Sequence, residues 1–421
     1  MRKQWVIVVA VMVLISGCTS SSSNIAPDIE APMDFADRMK ASKELDPHLI
    51  ETSNQLGLKL LRELRAKEEG RNLSISPYSI TAALALAYNG SAGKTAAELG
   101  DLLGYSPAAR NTMNADHKAL LTLLNHVGSG IELKVANSIW GGENLKLRKG
   151  FLSTGKKDYE AEIRTTDLSS QQSVTEINKW VSEHTEDKIK KMLENPLGKN
   201  AVAVLVNAVY FKASWRQVFL EENTRKEEFH PTADTTVQVD MMKQSGIFLY
   251  AESENWQAIR LLYGDGQMDM LVILPNEDYS LNELQEELAQ GGFQDSLFDG
   301  DNGELSLPRF TVSYGADLKD TLKALGVKRA FDPDQGDFSK LADTRDSIFI
   351  NQLLHKTYIN VNEQGTEAAA STLAAMLAGG GPPTDEPFKM VVNRPFFYII
   401  RDNQTGVWLF LGAVENPLMT E

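Results

Sequence analysis

The chain of 421 residues holds one cysteine, Cys18. A lone thiol cannot close an internal disulfide. HExxH, GxSxG and CxxC are all absent, which removes the common metalloprotease, hydrolase and dithiol signatures. Histidine is sparse: the six, at 48, 117, 126, 184, 230 and 355, lack metal-ligand spacing. Gly93-Lys94-Thr95 resembles the end of a phosphate loop, but the glycine required five positions earlier is Tyr88, and the segment before it reads as helix rather than strand. Positive charge is in deficit, with 42 Lys and Arg against 57 Asp and Glu and a net charge of −15. A nucleic-acid backbone as main partner would call for clustered cations, so that class is set aside. The acidic residues are spread like a solvated surface, and no carboxylate pair stands out for acid–base work. Triads assemble in space rather than in sequence, yet no residue set here argues for an enzyme, a cofactor or a metal.

Long apolar runs are missing too. Residues 5–15 are apolar, but about eleven residues are too few to cross a hydrocarbon core of roughly 30 Å as a helix. They follow Arg2 and Lys3 and lead into Ile15-Ser16-Gly17-Cys18. This pattern resembles the lipobox of bacterial lipoproteins. The resemblance implies that 1–17 is a signal peptide, that Cys18 is acylated, and that the chain meets a membrane through this lipid anchor. It implies a place in the cell envelope, at the outer membrane, facing the periplasm or the surface, with extracellular release as a further fate. Residues 18–48 are polar, rich in Ser, Pro and Asp, and without a sustained period. They read as a flexible tether.

No repeat of 20–50 residues is found. Helical periodicity marks residues 46–70, which end at Gly70, and residues 173–193. "SPYSITAALALAYNG" (76–90) opens on Ser76 and Pro77, a cap followed by a preferred first-turn residue. "AVAVLVNAVYF" (201–211) is almost wholly apolar and β-branched, as in a strand buried on both faces. "MDMLVILP" (268–275) and "ELSLPRFTVSY" (304–314) read as further strands, and "FFYII", "RDNQTG", "VWLFLGAV" as a C-terminal hairpin. The pattern predicts an α+β protein with large sheets, and nothing between 49 and 421 invites a domain boundary.

The stretch "NEQGTEAAASTLAAMLAGGGPPTDEP" (362–387) is the oddest in the chain, a run of small residues between a strand-like segment and a Gly/Pro loop. "NEQGTEAAAST" resembles the hinge of the serpin reactive-centre loop. "NLSISPYSITAALALAYNGSAGKTAAEL", "VLVNAVYFKASW", "LLHKTYINVNEQGTEAAAST" and "VVNRPFFYIIRDNQTGVWLFLGAVENP" resemble serpin segments too, in serpin order from about residue 49 to the end. The resemblance implies about nine helices, three β-sheets and an exposed reactive-centre loop. It implies a serine-protease inhibitor that acts as a suicide substrate: the protease cuts the loop, is held as an acyl-enzyme, and is distorted when the loop enters the central sheet. A monomer is expected. A serpin that has lost inhibition and serves as a binding or carrier module is the alternative.

The residue types suit that mechanism. Side chains of an inserted strand alternate between faces. One face would present Thr366, Ala368, Ala370 and Thr372, and continue through Ala374 and Met376 without a charge. The other would present Glu367, Ala369 and Ser371, so the only nearby charge avoids the core face. Gly365 supplies backbone freedom where the loop bends. By resemblance, Ser76, Ser79, Asn207 and His355 form the shutter, a polar cluster beneath the sheet. Asn207 lies mid-strand in an apolar run, where a buried amide needs partners. Trp215, Arg309 and Glu363 match the breach at the top of the sheet, with an Arg309–Glu363 ion pair expected. The family's usual spacing places the cut between Gly379 and Gly380, but three consecutive glycines blur the register, and Met376, Leu377 and Ala378 remain open. None is basic, so a trypsin-like target is disfavoured. Elastase-like or subtilisin-like serine proteases are expected, with papain-like cysteine proteases as a further class.

Overall fold

Cap chemistry accounts for where several helices begin. Ser76 lies in extended backbone and its hydroxyl oxygen accepts from the Ser79 N–H, while Pro77 occupies the first turn, where an N–H is not needed. Asp46 caps the preceding helix through the His48 N–H at 3.0 Å, again before a proline. Ser280 and Glu283 form a reciprocal capping box. The computed structural model describes residues 33, 35–291, 295–343, 347–367 and 386–420. Residues 32–421 make one compact unit.

Among the described residues there are nine α-helices and three sheets, an α+β architecture. The helices are α1 (Phe35–Ser42), α2 (Pro47–Arg65), α3 (Pro77–Gly90), α4 (Gly93–Leu103), α5 (Arg110–Asn125), α6 (Lys149–Asp158), α7 (Gln171–His184), α8 (Leu281–Ala289) and α9 (Lys319–Ala324). The strands are β1 (Leu73–Ile75), β2 (Ile131–Gly142), β3 (Lys146–Leu147), β4 (Glu162–Thr166), β5 (Ala203–Ser214), β6 (Arg225–Thr232), β7 (Thr235–Glu252), β8 (Trp256–Tyr263) and β9 (Met268–Pro275). They continue with β10 (Asp299–Pro308), β11 (Phe310–Asp317), β12 (Ala342–Asp343), β13 (Gln352–Asn362), β14 (Gly365–Thr366), β15 (Phe388–Val391), β16 (Phe396–Asp402) and β17 (Trp408–Val414).

The nine-stranded sheet runs β1-β17-β16-β9-β8-β7-β10-β15, with β6 also on β7. The six-stranded sheet runs β11-β13-β14-β5-β2-β4, and β12 with β3 is a small third pair. The apolar run of β5 follows from its position. Leu205, Val209 and Phe211 enter the main core, whereas Val204, Val206 and Ala208 meet Trp140, Ile177 and Trp180 in a second cluster that α7 covers. A strand covered on both faces has no polar side to alternate with.

Four local expectations are corrected. The segment 304–314 is not one strand: β10 ends at Pro308 and β11 starts at Phe310, and the two belong to different sheets. Helix α2 stops at Arg65 rather than near Gly70. Helix α7 stops at His184, and no second helix follows in 185–193. Asn178 reaches from α7 to that segment, accepting from the Met192 and Leu193 N–H groups at 2.8 and 2.9 Å, so side-chain bonds replace helical ones.

The range 18–48, expected as a flexible tether, holds α1 and the start of α2 in its described part. Composition misled because α1 is pinned by a charge rather than by an apolar stripe. Arg38 is fully buried and pairs with the equally buried Asp402 at 2.5 Å. Its Nε also donates to the Leu123 carbonyl, and it donates to the Gln404 amide oxygen. Breaking a buried pair strands the remaining ion. Arg38→Ala is therefore expected to lower the unfolding free energy by about 3 kcal/mol, read from the urea midpoint.

Candidate functional site

Below its top, the six-stranded sheet is closed. Strands β13 and β5 pair in parallel from Gln352 beside Val204 to Tyr358 beside Tyr210. Above that point they part, and β14 lies between them. Thr366 pairs with Val361 on one side and Ala213 on the other, and Gly365 pairs with Asn362 and Ser214. The chain enters this slot only because residue 365 is glycine. Its φ is +146°, and a Cβ there would sit 2.1 Å from the Ala213 carbonyl oxygen.

Thr366 is fully buried, with its hydroxyl 2.6 Å from the Tyr263 hydroxyl. Tyr263 stacks on Trp215 at 4.4 Å between ring centroids. Glu367 lies on the other face, where its carboxylate meets Lys188 at 3.1 Å. Ala368, Ala369, Ala370, Ser371 and Thr372, the candidate cleavage residues Met376, Leu377, Ala378, Gly379 and Gly380, and Cys18 lie outside the described residues.

Trp215, Arg309 and Glu363 come together at the top of the slot. The Trp215 ring N–H donates to the Asn362 carbonyl at 2.9 Å, and its backbone N–H to the Gln364 carbonyl at 2.9 Å. Glu363 is buried. Arg309 Nε donates to both its carboxylate oxygens, at 2.7 and 2.8 Å, and Nη2 lies 2.5 Å from Oε1. Burial pushes the Glu363 carboxyl up, but the hydrogen bonds from Arg309 and Thr224 outweigh it and hold the group below its ordinary value. Thr224, which donates at 2.5 Å, was not picked out in the sequence; a threonine in an exposed-looking stretch carries no signal of this contact.

Ser76, Ser79, Asn207 and His355 also converge. His355 and Asn207 are direct neighbours in the parallel register. The Ser76 N–H donates to His355 Nε2 at 3.1 Å. Nδ1 therefore carries the proton and donates to Asn207 Oδ1. The Asn207 amide nitrogen then donates to Ser79 and, at 2.6 Å, to Asn137 Oδ1. Asn137 on β2 was missed, although an amide inside "KVANSIW" is the same clue that marked Asn207.

The network needs a neutral imidazole, because a protonated Nε2 could not accept from Ser76. Burial pushes the His355 pKa down to about 3. His117, buried between Tyr78 and Tyr159 with no hydrogen-bond partner among the described residues, is likewise pushed down to about 3. Both folded values lie below the unfolded one near 6.5, so the unfolded chain takes up protons first as pH falls. Their stabilising effect is complete above pH ~6.5 and is lost between there and pH ~3, at about 1.4 kcal/mol per pH unit for each. The urea midpoint of the wild type is expected to drop across that window. That of His355→Gln starts lower at neutral pH and drops less steeply.

A family profile for serpins, described as serine protease inhibitors, matches residues 51–417. Human Serpin B4 is 32% identical over 392 residues, which cover 88% of this chain and 99% of that protein. An uncharacterised serpin-like protein of Thermococcus kodakarensis is 32% identical over 433 residues, covering 99% of both chains. Among solved structures, the thermophilic serpin tengpin in its native state superposes with a TM-score of 0.80 at 30% identity, covering 89% of this chain and 95% of that one. Human thyroxine-binding globulin complexed with thyroxine superposes at 0.79 and 28% identity, covering 89% of this chain and 100% of that one.

Proposed function

The chain belongs to the serpin family, and from that premise we propose that it inhibits proteases as a suicide substrate. The target's nucleophile attacks the carbonyl carbon of a loop residue among Met376, Leu377, Ala378 and Gly379. The peptide C–N bond breaks and the new amine leaves with a proton. The protease stays acylated, its nucleophile bonded to that carbonyl carbon of the loop. Residues from Ala368 onward then follow Thr366 between β13 and β5, carrying the protease with them. One observation supports this above all: the first two hinge residues already pair with both neighbours, in the antiparallel sense a full insertion would use.

Apolar and small residues around the cut suit shallow apolar pockets, so elastase-like or subtilisin-like serine proteases are the proposed targets, with papain-like cysteine proteases as a further class. Cys18 is proposed to be acylated and to hold the protein, as a monomer, at the cell envelope.

The second reading, a binding or carrier module, draws on the likeness to thyroxine-binding globulin. Mixing the purified protein with pancreatic elastase, subtilisin or papain and running a denaturing gel separates the two. A band at the summed mass supports inhibition. Clean loop cleavage without that band, across all three protease classes, favours the second reading. Mass spectrometry of the released C-terminal peptide locates the cut.

A further inference from the structure

Strand β14 is two residues long, and its end at Thr366 has a visible cause. Thr366 is in extended backbone paired on both sides. Glu367 still donates its N–H to the Asn360 carbonyl at 2.9 Å, so the ladder with β13 reaches it. Its φ, however, is +55°, in the left-handed region. A non-glycine residue there is strained, and an extended strand cannot continue through it. Something must hold the residue in that shape. Its carboxylate is nearly buried and ion-paired with Lys188 at 3.1 Å, and burial together with this carboxylate pushes the neighbouring Tyr210 hydroxyl pKa up. Lys188 comes from the irregular segment after α7, and its ammonium also lies over the Tyr358 ring. Lys134, opposite Tyr210 in the β2–β5 register, is engaged by Glu132 and Glu186.

We propose that Glu367, held by Lys188, is the stop that keeps the uncut loop from entering the sheet beyond Thr366. The inference rests on the inhibitory reading above and adds a positioning role for these two residues. The direction of the effect follows from the strain. With the ion pair, the left-handed turn is compensated and β14 ends at Thr366. Without it, the turn has strain but no compensation, and the residue relaxes toward extended backbone. Extended backbone at 367 is what Ala368 needs in order to enter. Removing either partner therefore speeds spontaneous insertion of the intact loop, and the uncut molecule loses inhibitory capacity by converting early.

The test incubates uncut full-length protein a few degrees below its melting point and follows, on urea-gradient gels, conversion to a form resistant to unfolding. Lys188→Met and Glu367→Gln are each expected to convert roughly fivefold faster than wild type, the scale of a partly exposed ion pair. The double variant should convert no faster than either single one. Raising NaCl from about 0.05 M to about 1 M should speed the wild type toward the variants and leave the variants unchanged, because salt screens a pair whose lysine is half exposed. General loosening of the fold would not produce this salt signature.

Variants that convert at the wild-type rate, or additive effects in the double variant, overturn the proposal, as does an absence of conversion in every variant. The inhibitory reading has its own control. If cutting the wild-type loop gives no gain in stability, that reading has failed. If cutting stabilises while the variants convert like wild type, only the stop has failed.

Discussion

Thr366→Arg is expected to abolish the covalent complex and leave the loop cut cleanly by the same protease. The trap depends on a race between loop entry and hydrolysis of the acyl-enzyme. Thr366 is the first residue whose side chain points inward, onto Tyr263 and the stacked Trp215. No acidic group is bonded to it there. A guanidinium at this position must be stripped of water without a partner, at a cost of several kcal/mol. Each ~1.4 kcal/mol added to the entry barrier slows entry about tenfold. Even about 3 kcal/mol would slow it roughly a hundredfold, and hydrolysis would win. Thr366→Val separates charge from packing: it loses only the bond to Tyr263, and the complex should persist. If Thr366→Arg still yields the covalent band at wild-type efficiency, the inward face has been misassigned.

The parts of this molecule that sequence reveals are those where one residue's chemistry is locally incompatible with its neighbours. Asn207 is an amide in an apolar strand, and Gly365 opens a run of small residues. Each demands a special environment: Asn207 lies inside the seam between β13 and β5, opposite His355, and Gly365 lies where the two strands part above it. The C-terminal hairpin and β9 were readable for a related reason: β-branched and aromatic runs bounded by turn residues have few alternatives. Sequence fails where structure depends on a distant partner. Arg38 looks like one more solvated charge in a polar stretch, and only Asp402, far along the chain, makes α1 intelligible. Arg309 similarly hides a break between two sheets within what reads as one strand. Lys188 sits in a basic run that looks fully solvated, yet its ammonium reaches the hinge.

Cutting the loop is expected to raise the melting temperature by roughly 10–25 °C. The uncut sheet has a parallel seam between β13 and β5, seven residue pairs long. Full entry of the loop replaces it with two antiparallel seams, the geometry β14 already has with both neighbours. Some fourteen hydrogen bonds, at about 0.5–1.5 kcal/mol net each, would stabilise the cut form by roughly 7–20 kcal/mol. Parallel pairing is also the slightly weaker kind. Against this stands the His355–Asn207 bond, which spans the seam and must break as the strands separate. One bond is small beside fourteen. Unfolding entropy of about 2.1 cal/mol/K per residue turns the net gain into the shift given above. Limited digestion followed by calorimetry at pH ~7.5, where both buried histidines are neutral in either state, measures it directly. Cut Thr366→Arg protein should show a markedly smaller rise, because the same buried charge opposes entry. An unchanged melting temperature after a verified cut would mean that the uncut molecule stores no energy to distort a protease.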